Sequence, residues 1–210
     1  MKKVILIVSA IMSFVFISSA QTVKIGTQVW LVKNLDVSTF RNGDYIPQTK
    51  TIEELENANN NNQPAWCYYN NDPANGPKYG KLYNWYAVND PRGLAPKGWH
   101  VPTIYEWLTL QDYLGEDDAA TKMKTNFDWE FADEELGGVN GDNESGFSAL
   151  PAGRYSNGEF YELNYSTFYW TNSESYPTVW LYYLFSNLQI YEDTDGNEFS
   201  NVQSVRCIKD

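Results

Sequence analysis

Gly98-Trp99-His100-Val101-Pro102-Thr103-Ile104-Tyr105-Glu106-Trp107 is the stretch of sequence that decides the fold. Thr103 and Glu106 have the spacing of a capping box, in which two side chains bind backbone N–H groups at the start of a helix. The apolar residues that follow lie at helical spacing: Ile104, Trp107, Leu108 and Leu114. Gly115 then predicts the end of the helix. We therefore expect an amphipathic helix from Ile104 to Leu114, packed by one face onto a core.

Three earlier segments also carry local signals. Val23, Ile25, Val29 and Leu31 alternate with polar residues around Gly26-Thr27, which predicts a pair of strands. The Thr-x-x-Glu spacing of Thr51-Ile52-Glu53-Glu54 predicts a short helix that ends near Ala58. Leu82, Trp85 and Tyr86 are spaced i, i+3 and i+4, which predicts a second short helix between Gly80 and Val88.

After Gly137-Gly138 the sequence consists of short aromatic and Val-containing runs separated by Gly, Asn, Ser and Asp. Phe168-Tyr169-Trp170-Thr171 and the run from Val179 to Phe185 are examples. Such runs are typical of antiparallel strands. Helices in the first half and strands in the second predict an α+β domain with long loops.

The first twenty residues have the form of a secretory leader. Two lysines precede an uncharged apolar run from Val4 to Ile17, and Ser18-Ser19-Ala20 supplies the small residues of a cleavage site. We expect residues 1–20 to be removed on export, which leaves one domain over residues 21–210, secreted or otherwise extracytoplasmic, at the cell surface. The run is shorter than the about 20 residues of a spanning helix, so we expect no membrane insertion after cleavage.

The charge of the chain restricts its partners. The formal net charge is −12, and removal of Lys2 and Lys3 with the leader makes it more negative. A field of this sign repels phosphate backbones and anionic lipid. We therefore expect no nucleic-acid partner.

The chain has two cysteines, Cys67 and Cys207. An exported protein is free to form a disulfide between them. Two buried thiols are the alternative. We expect the disulfide.

Five motifs, in order, carry a resemblance to a known family. They are Ala65-Trp66-Cys67-Tyr68-Tyr69, Tyr79-Gly80-Lys81-Leu82-Tyr83-Asn84-Trp85, Gly98-Trp99-His100-Val101-Pro102-Thr103, Glu144-Ser145-Gly146-Phe147-Ser148-Ala149-Leu150-Pro151 and Ser204-Val205-Arg206-Cys207. With them the chain resembles the Fibrobacter succinogenes major paralogous domain family, a bacterial family of exported and cell-surface proteins, over nearly all of residues 21–210.

That family is similar to the C-type-lectin-like fold of formylglycine-generating enzymes. The resemblance implies two helices packed on a twisted, mainly antiparallel sheet, with long loops and with the N- and C-terminal strands side by side. The oxidase activity of the related fold relies on two nearby cysteines late in the chain. Only Cys207 is present there, so the resemblance implies that this activity is absent.

A ligand site is expected in the second half, where rings alternate with hydrogen-bonding groups. The candidate residues are Tyr155, Tyr165, Trp170, Asn172, Glu174, Trp180 and Tyr182. Rings stack on sugars, and polar side chains bind hydroxyls. Core packing explains many of these rings equally well, so both interpretations stay open.

A weaker pattern concerns calcium. Asp193, Asp195 and Asn197 place side-chain oxygens at alternate positions, as calcium loops do, but the spacing departs from that of an EF-hand. Asp195-Gly196-Asn197 also suits a plain hairpin turn. We expect no cofactor, with calcium at this segment as the alternative.

These observations predict an exported binding or scaffold domain without catalysis, which recognises polysaccharide or protein at the bacterial cell surface. His100 stands alone and suits a ring packed at the start of a helix rather than a catalytic base. The alternative hypothesis is a hydrolase or transferase that acts on glycans through a carboxylate pair, such as Asp142 and Glu144.

Overall fold

The computed structural model describes residues 21–130, 140–175, 178–185, 190–193 and 198–210. The predicted leader, residues 1–20, lies outside them. The helices in the described part are α1 Ile52–Asn60, α2 Gly76–Tyr79, α3 Trp85–Val88, α4 Ile104–Leu114 and α5 Ala119–Met123. Within these ranges, no helix has both the length and the apolar character that crossing a membrane requires.

Helix α4 begins and ends as the sequence predicts. The Thr103 hydroxyl accepts a hydrogen bond from the Glu106 backbone N–H at 3.3 Å, and the Glu106 carboxylate accepts one from the Thr103 N–H at 2.8 Å. The capping box is therefore complete. Gly115 ends the helix with a φ of 91°, a left-handed value that favours glycine.

The other two predicted helices differ in outcome. Helix α1 is present, and the Thr51 hydroxyl accepts a hydrogen bond from the Glu54 N–H. The helix predicted to include Leu82 is wrong in its first turn, because Leu82–Asn84 forms strand β4 and the helix starts only at Trp85. Pairing of Leu82 with Cys67 on a neighbouring strand outweighs the local helical spacing.

A four-stranded antiparallel sheet joins the two ends of the domain. It contains β1 Thr22–Ile25, β2 Gln28–Leu31, β5 Trp99–His100 and β12 Ile208–Lys209, in the order β1-β2-β12-β5. Ile208 pairs with Trp30 on one side and with His100 on the other. The first and last strands therefore belong to one sheet, as the family resemblance implies.

A larger sheet carries most of the second half. Its order is β10-β9-β8-β6-β11-β4-β3, and β7 pairs with β6 outside this order. The strands are β3 Trp66–Cys67, β4 Leu82–Asn84, β6 Ala152–Ser156, β7 Glu159–Leu163, β8 Ser166–Ser175, β9 Thr178–Phe185, β10 Ile190–Asp193 and β11 Val202–Gln203. All pairs are antiparallel except β6 with β8. The domain is therefore α+β, with one purely antiparallel sheet and one mixed sheet.

Helix α4 packs on the larger sheet through an aromatic stack. The Trp107 ring lies parallel to Tyr182 of β9, with 4.4 Å between centroids and 8° between planes. Its other contacts include Tyr169 of β8 at 5.1 Å and Trp30 of β2 at 4.7 Å. All four rings are fully buried. Many of the aromatic side chains are thus core residues. Through Trp107, α4 packs against both sheets.

The predicted disulfide is wrong, since Cys67 and Cys207 are both free and buried. Cys67 packs in a cluster with Leu55 and Tyr155, whereas Cys207 belongs to the cluster around Trp85. Burial raises the pKa of the Cys67 thiol well above its usual value and that of Cys207 to about 12. Both thiols are therefore protonated core side chains.

Candidate functional site

Three of the predicted ligand-binding rings lie in the core. Trp170 and Tyr182 are fully buried and Tyr155 is 2% exposed. The Trp170 indole N–H donates to the Tyr83 carbonyl at 2.7 Å, and the Tyr182 ring stacks on Trp107. Neither ring has a face available to a ligand, which corrects the prediction for these two residues. Tyr155 lines a depression that is described below.

Two of the remaining predicted residues have accessible side chains in the described part of the structure. Tyr165 is half-buried and Asn172 is exposed. Glu174 and Trp180 lie in β8 and β9, but their side chains are outside the described part of the structure. Asp193 ends β10 and its side chain is likewise outside that part, as are residues 195 and 197. The calcium hypothesis therefore stays a prediction.

A depression of the described residues lies at the start of α3, and we call it the tryptophan groove. Its volume is about 450 Å³, and its lining combines three rings, three polar side chains and two prolines: Trp85, Tyr86, Phe199, Asn62, Asn89, Asp90, Pro64 and Pro91. Trp85 is buried against Trp170 and Phe199, whereas Tyr86 is half-buried. The groove thus presents aromatic surface beside amide and carboxylate groups.

Two buried asparagines hold the walls of the tryptophan groove together. The Asn84 side-chain oxygen accepts hydrogen bonds from the backbone N–H groups of Ala65 and Ala87, at 2.9 and 3.1 Å. Its amide group donates to the Gln63 carbonyl and to the Asn59 side chain. Asn84 therefore caps α3 and fixes the loop after α1 in the same position.

Asn59 extends this hydrogen-bond network to the turn that carries Phe199. Its side-chain amide donates to the Ser200 carbonyl at 2.8 Å, next to Phe199. Asn59 is 8% exposed and Asn84 is fully buried. The end of α1, the start of α3 and the turn that carries Phe199 are thus joined by side-chain hydrogen bonds inside the protein.

A second depression lies beside the Asn59–Ser200 contact, and we call it the tyrosine groove. It has a volume of about 350 Å³ and is lined by Glu56, Asn59, Asn60, Tyr155, Asn157, Gly158 and Ser200. The Tyr155 hydroxyl donates to Glu56 at 3.3 Å. Burial and the Glu56 charge raise the pKa of Tyr155 to about 12, so the hydroxyl stays protonated.

The comparison with protein families decides the identity of the chain. The model of the Fibrobacter succinogenes major domain matches residues 23–209. The chain belongs to this family. Asn84 and Trp85 lie in the motif Tyr79-Gly80-Lys81-Leu82-Tyr83-Asn84-Trp85, one of the five that predict the membership. No curated protein and no solved structure matches the chain.

His100 of this major-domain protein is bound on both ring nitrogens. Nδ1 lies 2.8 Å from an Asp210 carboxylate oxygen, and Nε2 lies 2.8 Å from a Glu106 carboxylate oxygen. Burial lowers the pKa of the ring, but hydrogen bonds to the two carboxylates outweigh it, so the pKa lies above its usual value. Through these two contacts the ring ties α4 to the end of the chain.

The carboxylates of the enzyme hypothesis also have local roles in the major domain. An Asp142 oxygen accepts a hydrogen bond from the Glu144 N–H at 2.8 Å, which closes a turn. Glu144 is exposed and lines a third cavity, of about 360 Å³, with Lys24, Tyr113 and Lys122 among its neighbours. In the described part of the chain, no group of three or more His, Cys, Asp or Glu side chains is placed to hold a metal ion.

The groove residues of the major domain were not among the sequence candidates, except for Tyr155. Asn157-Gly158 offered one signal, because this pair favours a two-residue hairpin turn and both residues have positive φ, 50° and 88°. The turn joins β6 to β7 and contributes to the tyrosine groove. Asn84 lies three residues before Ala87, as an N-cap does, but its other partners and the Ser200 partner of Asn59 lie far away in the sequence.

Proposed function

We propose that this major domain is exported and acts at the bacterial cell surface as a binding domain without catalysis, with the tryptophan groove as its site for polysaccharide. The observation that carries the proposal is the combination of the half-buried rings of Tyr86 and Phe199, above the buried Trp85, with amide and carboxylate groups in one open depression. Aromatic faces stack on the apolar faces of sugar rings, and such polar groups bind hydroxyls.

Size and charge support a neutral polysaccharide chain as the ligand. The groove volume of about 450 Å³ falls within the range of small-molecule sites, about 300–1,000 Å³. A hydrogen bond from Arg92 lowers the pKa of Asp90, so the groove holds a carboxylate at neutral pH. Arg92 pairs with this carboxylate, which also accepts hydrogen bonds as sugar hydroxyls require. The net charge of −12 repels polyanions.

We further propose that the fold is C-type-lectin-like and that residues 1–20 are a cleaved leader. The paired terminal strands and the capping box of α4 support the first proposal. The charged start, apolar run and small residues before Gln21 support the second. A mature N-terminus at Met1, read by mass spectrometry of the exported protein, would contradict it.

A binding assay on a panel of neutral polysaccharides tests the function. The mature chain should be retarded by at least one of them in affinity electrophoresis. Tyr86→Ala should weaken that binding about tenfold, because it removes one stacking ring worth about 1.4 kcal/mol. The matched control is Tyr105→Ala, which removes a ring that is 76% exposed on α4 and does not line the groove.

The outcomes separate the proposal from its alternatives. Equal binding by wild type and Tyr86→Ala, or no retardation by any polysaccharide, would contradict the groove as the site. Shortened polysaccharide after incubation with the wild type would contradict a domain without catalysis. The pair Asp142→Asn and Glu144→Gln would then identify whether the carboxylates cause the cleavage.

A further inference from the structure

A buried arginine without an acidic partner lies beside another cavity. Arg206 is 1% exposed. Its guanidinium donates to Asn34 Oδ1 and to the carbonyls of Leu31, Val32 and Phe147, and all of these acceptors are neutral. A buried charge is costly unless it is paired. Among the described residues, no carboxylate forms an ion pair with this guanidinium.

The cavity next to Arg206 has a volume of about 180 Å³, and its charged lining is entirely basic. Lys33 and Lys78 line it together with Arg206. Asp128 holds the Lys78 ammonium at 3.1 Å but does not itself line the cavity. Three cationic side chains therefore surround a small space in a chain whose net charge is −12.

The three cavities described above each contain a carboxylate. The tryptophan groove contains Asp90, the tyrosine groove contains Glu56, and the third cavity contains Glu144. Arg92 pairs with Asp90, and Lys24 and Lys122 accompany Glu144 in the third cavity. Among these four cavities, the one beside Arg206 is the one whose charged lining is cationic throughout, which suits a negatively charged group.

The uncharged residues that line this cavity indicate which kind of molecule carries the negatively charged group. The Phe127 ring is 54% exposed at this cavity, and the side chains of Asn143 and Ser148 lie on its wall. An exposed ring beside hydroxyl and amide groups suits a sugar ring, as it does in the tryptophan groove. The volume of about 180 Å³ limits the ligand to a single ring or a chain end.

We propose that this cavity binds the carboxylate of an acidic monosaccharide, a uronate, at the end or on a branch of a glycan. Lys33 and Lys78 bind the carboxylate, the Arg206 charge adds to the local positive potential, and Phe127 packs on the sugar ring. This site is separate from the tryptophan groove and does not depend on the function proposed for it.

Calorimetry with sodium glucuronate, glucose and sodium acetate on the mature chain at low salt tests the proposal. Glucuronate should bind in the millimolar range, and glucose and acetate should bind about tenfold more weakly or not at all. Lys33→Ala with Lys78→Ala should weaken glucuronate binding at least about tenfold, because both ion pairs are lost. Phe127→Ala should remove the preference for glucuronate over acetate.

The matched control is Lys50→Ala with Lys97→Ala, which makes the same change in net charge at two exposed lysines outside the cavity. It should leave glucuronate binding unchanged. Absence of glucuronate binding, or equal weakening by the two double variants, would overturn the site. Acetate binding as tight as that of glucuronate would overturn the sugar as its ligand. Neither result bears on the tryptophan groove, which is tested with neutral chains.

Discussion

At the scale of single residues, aromatic rings lie beside three buried cations of the described part of the chain. The Lys81 ammonium lies 4.5 Å from the Trp66 ring centroid, and the Lys124 ammonium lies 5.0 Å from that of Trp129. Arg206 lies 4.4 Å from the Phe147 ring centroid. Cation–π contacts strengthen when water is excluded. The aromatic content therefore serves charge burial as well as apolar packing.

Lys124 gives a prediction about pH. Burial lowers its pKa from 10.5 to about 8. Between these two pH values the unfolded chain holds a proton on this group that the folded chain has lost, so the free energy of unfolding rises with pH. The rise is about 3 kcal/mol. Lys124→Met removes this rise, so the free energy of unfolding of wild type minus that of the variant should increase by that amount across the window.

Urea unfolding of both proteins at several pH values from 8 to 10.5 measures the difference. Because wild type and variant share all other titrating groups, those groups cancel in the comparison. Lys50→Met, an exposed control, should differ from wild type by a constant amount. A constant difference for Lys124→Met as well would contradict the pKa assignment.

At the scale of elements, the sequence predicts what local contacts decide. Thr103, Glu106 and Gly115 act within one helix, so the bounds of α4 follow from their order. Leu82 belongs to β4 because it pairs with Cys67, fifteen residues away, and no local pattern reports such pairing. Boundaries that rest on neighbours in the sequence were thus predicted, and those that rest on distant strands were not.

The prediction of Trp170 as a ligand-binding ring was wrong for a related reason. Phe168, Tyr169 and Trp170 follow one another on β8, and all three are buried. Successive residues of a strand point to opposite faces, so both faces of β8 are covered. Tyr169 contacts Trp107 on α4, whereas Trp170 contacts Trp85 on α3. Ring type does not indicate whether a second layer covers the outer face of a strand.

Asn84 gives the prediction at this scale, because one side chain joins three elements. Asn84→Ala removes four hydrogen bonds and leaves the buried Ala65 N–H without that partner. We expect a loss of about 3 kcal/mol in the free energy of unfolding, measured with urea. Asn61→Ala, at the exposed end of α1, should cost under about 1 kcal/mol. A loss for Asn84→Ala no larger than that of the control would contradict the role of Asn84.

At the scale of the whole molecule, the two proposed sites differ in charge and position. The tryptophan groove lies where α1, α3 and the turn with Phe199 meet, and it includes Asp90. The cavity beside Arg206 contains no carboxylate. If both proposals hold, the charge lining each site would separate neutral from uronate-bearing ligands in this acidic chain.

Amide chemical-shift mapping with a neutral polysaccharide fragment tests the central claim, that the tryptophan groove is the binding site. We predict that the largest shifts on titration fall on the backbone N–H groups of Asn62, Tyr86, Asn89 and Phe199. Those of Tyr105 and Tyr113, on the outer face of α4, should stay unchanged. Shifts concentrated on α4, with the groove amides unmoved, would contradict it.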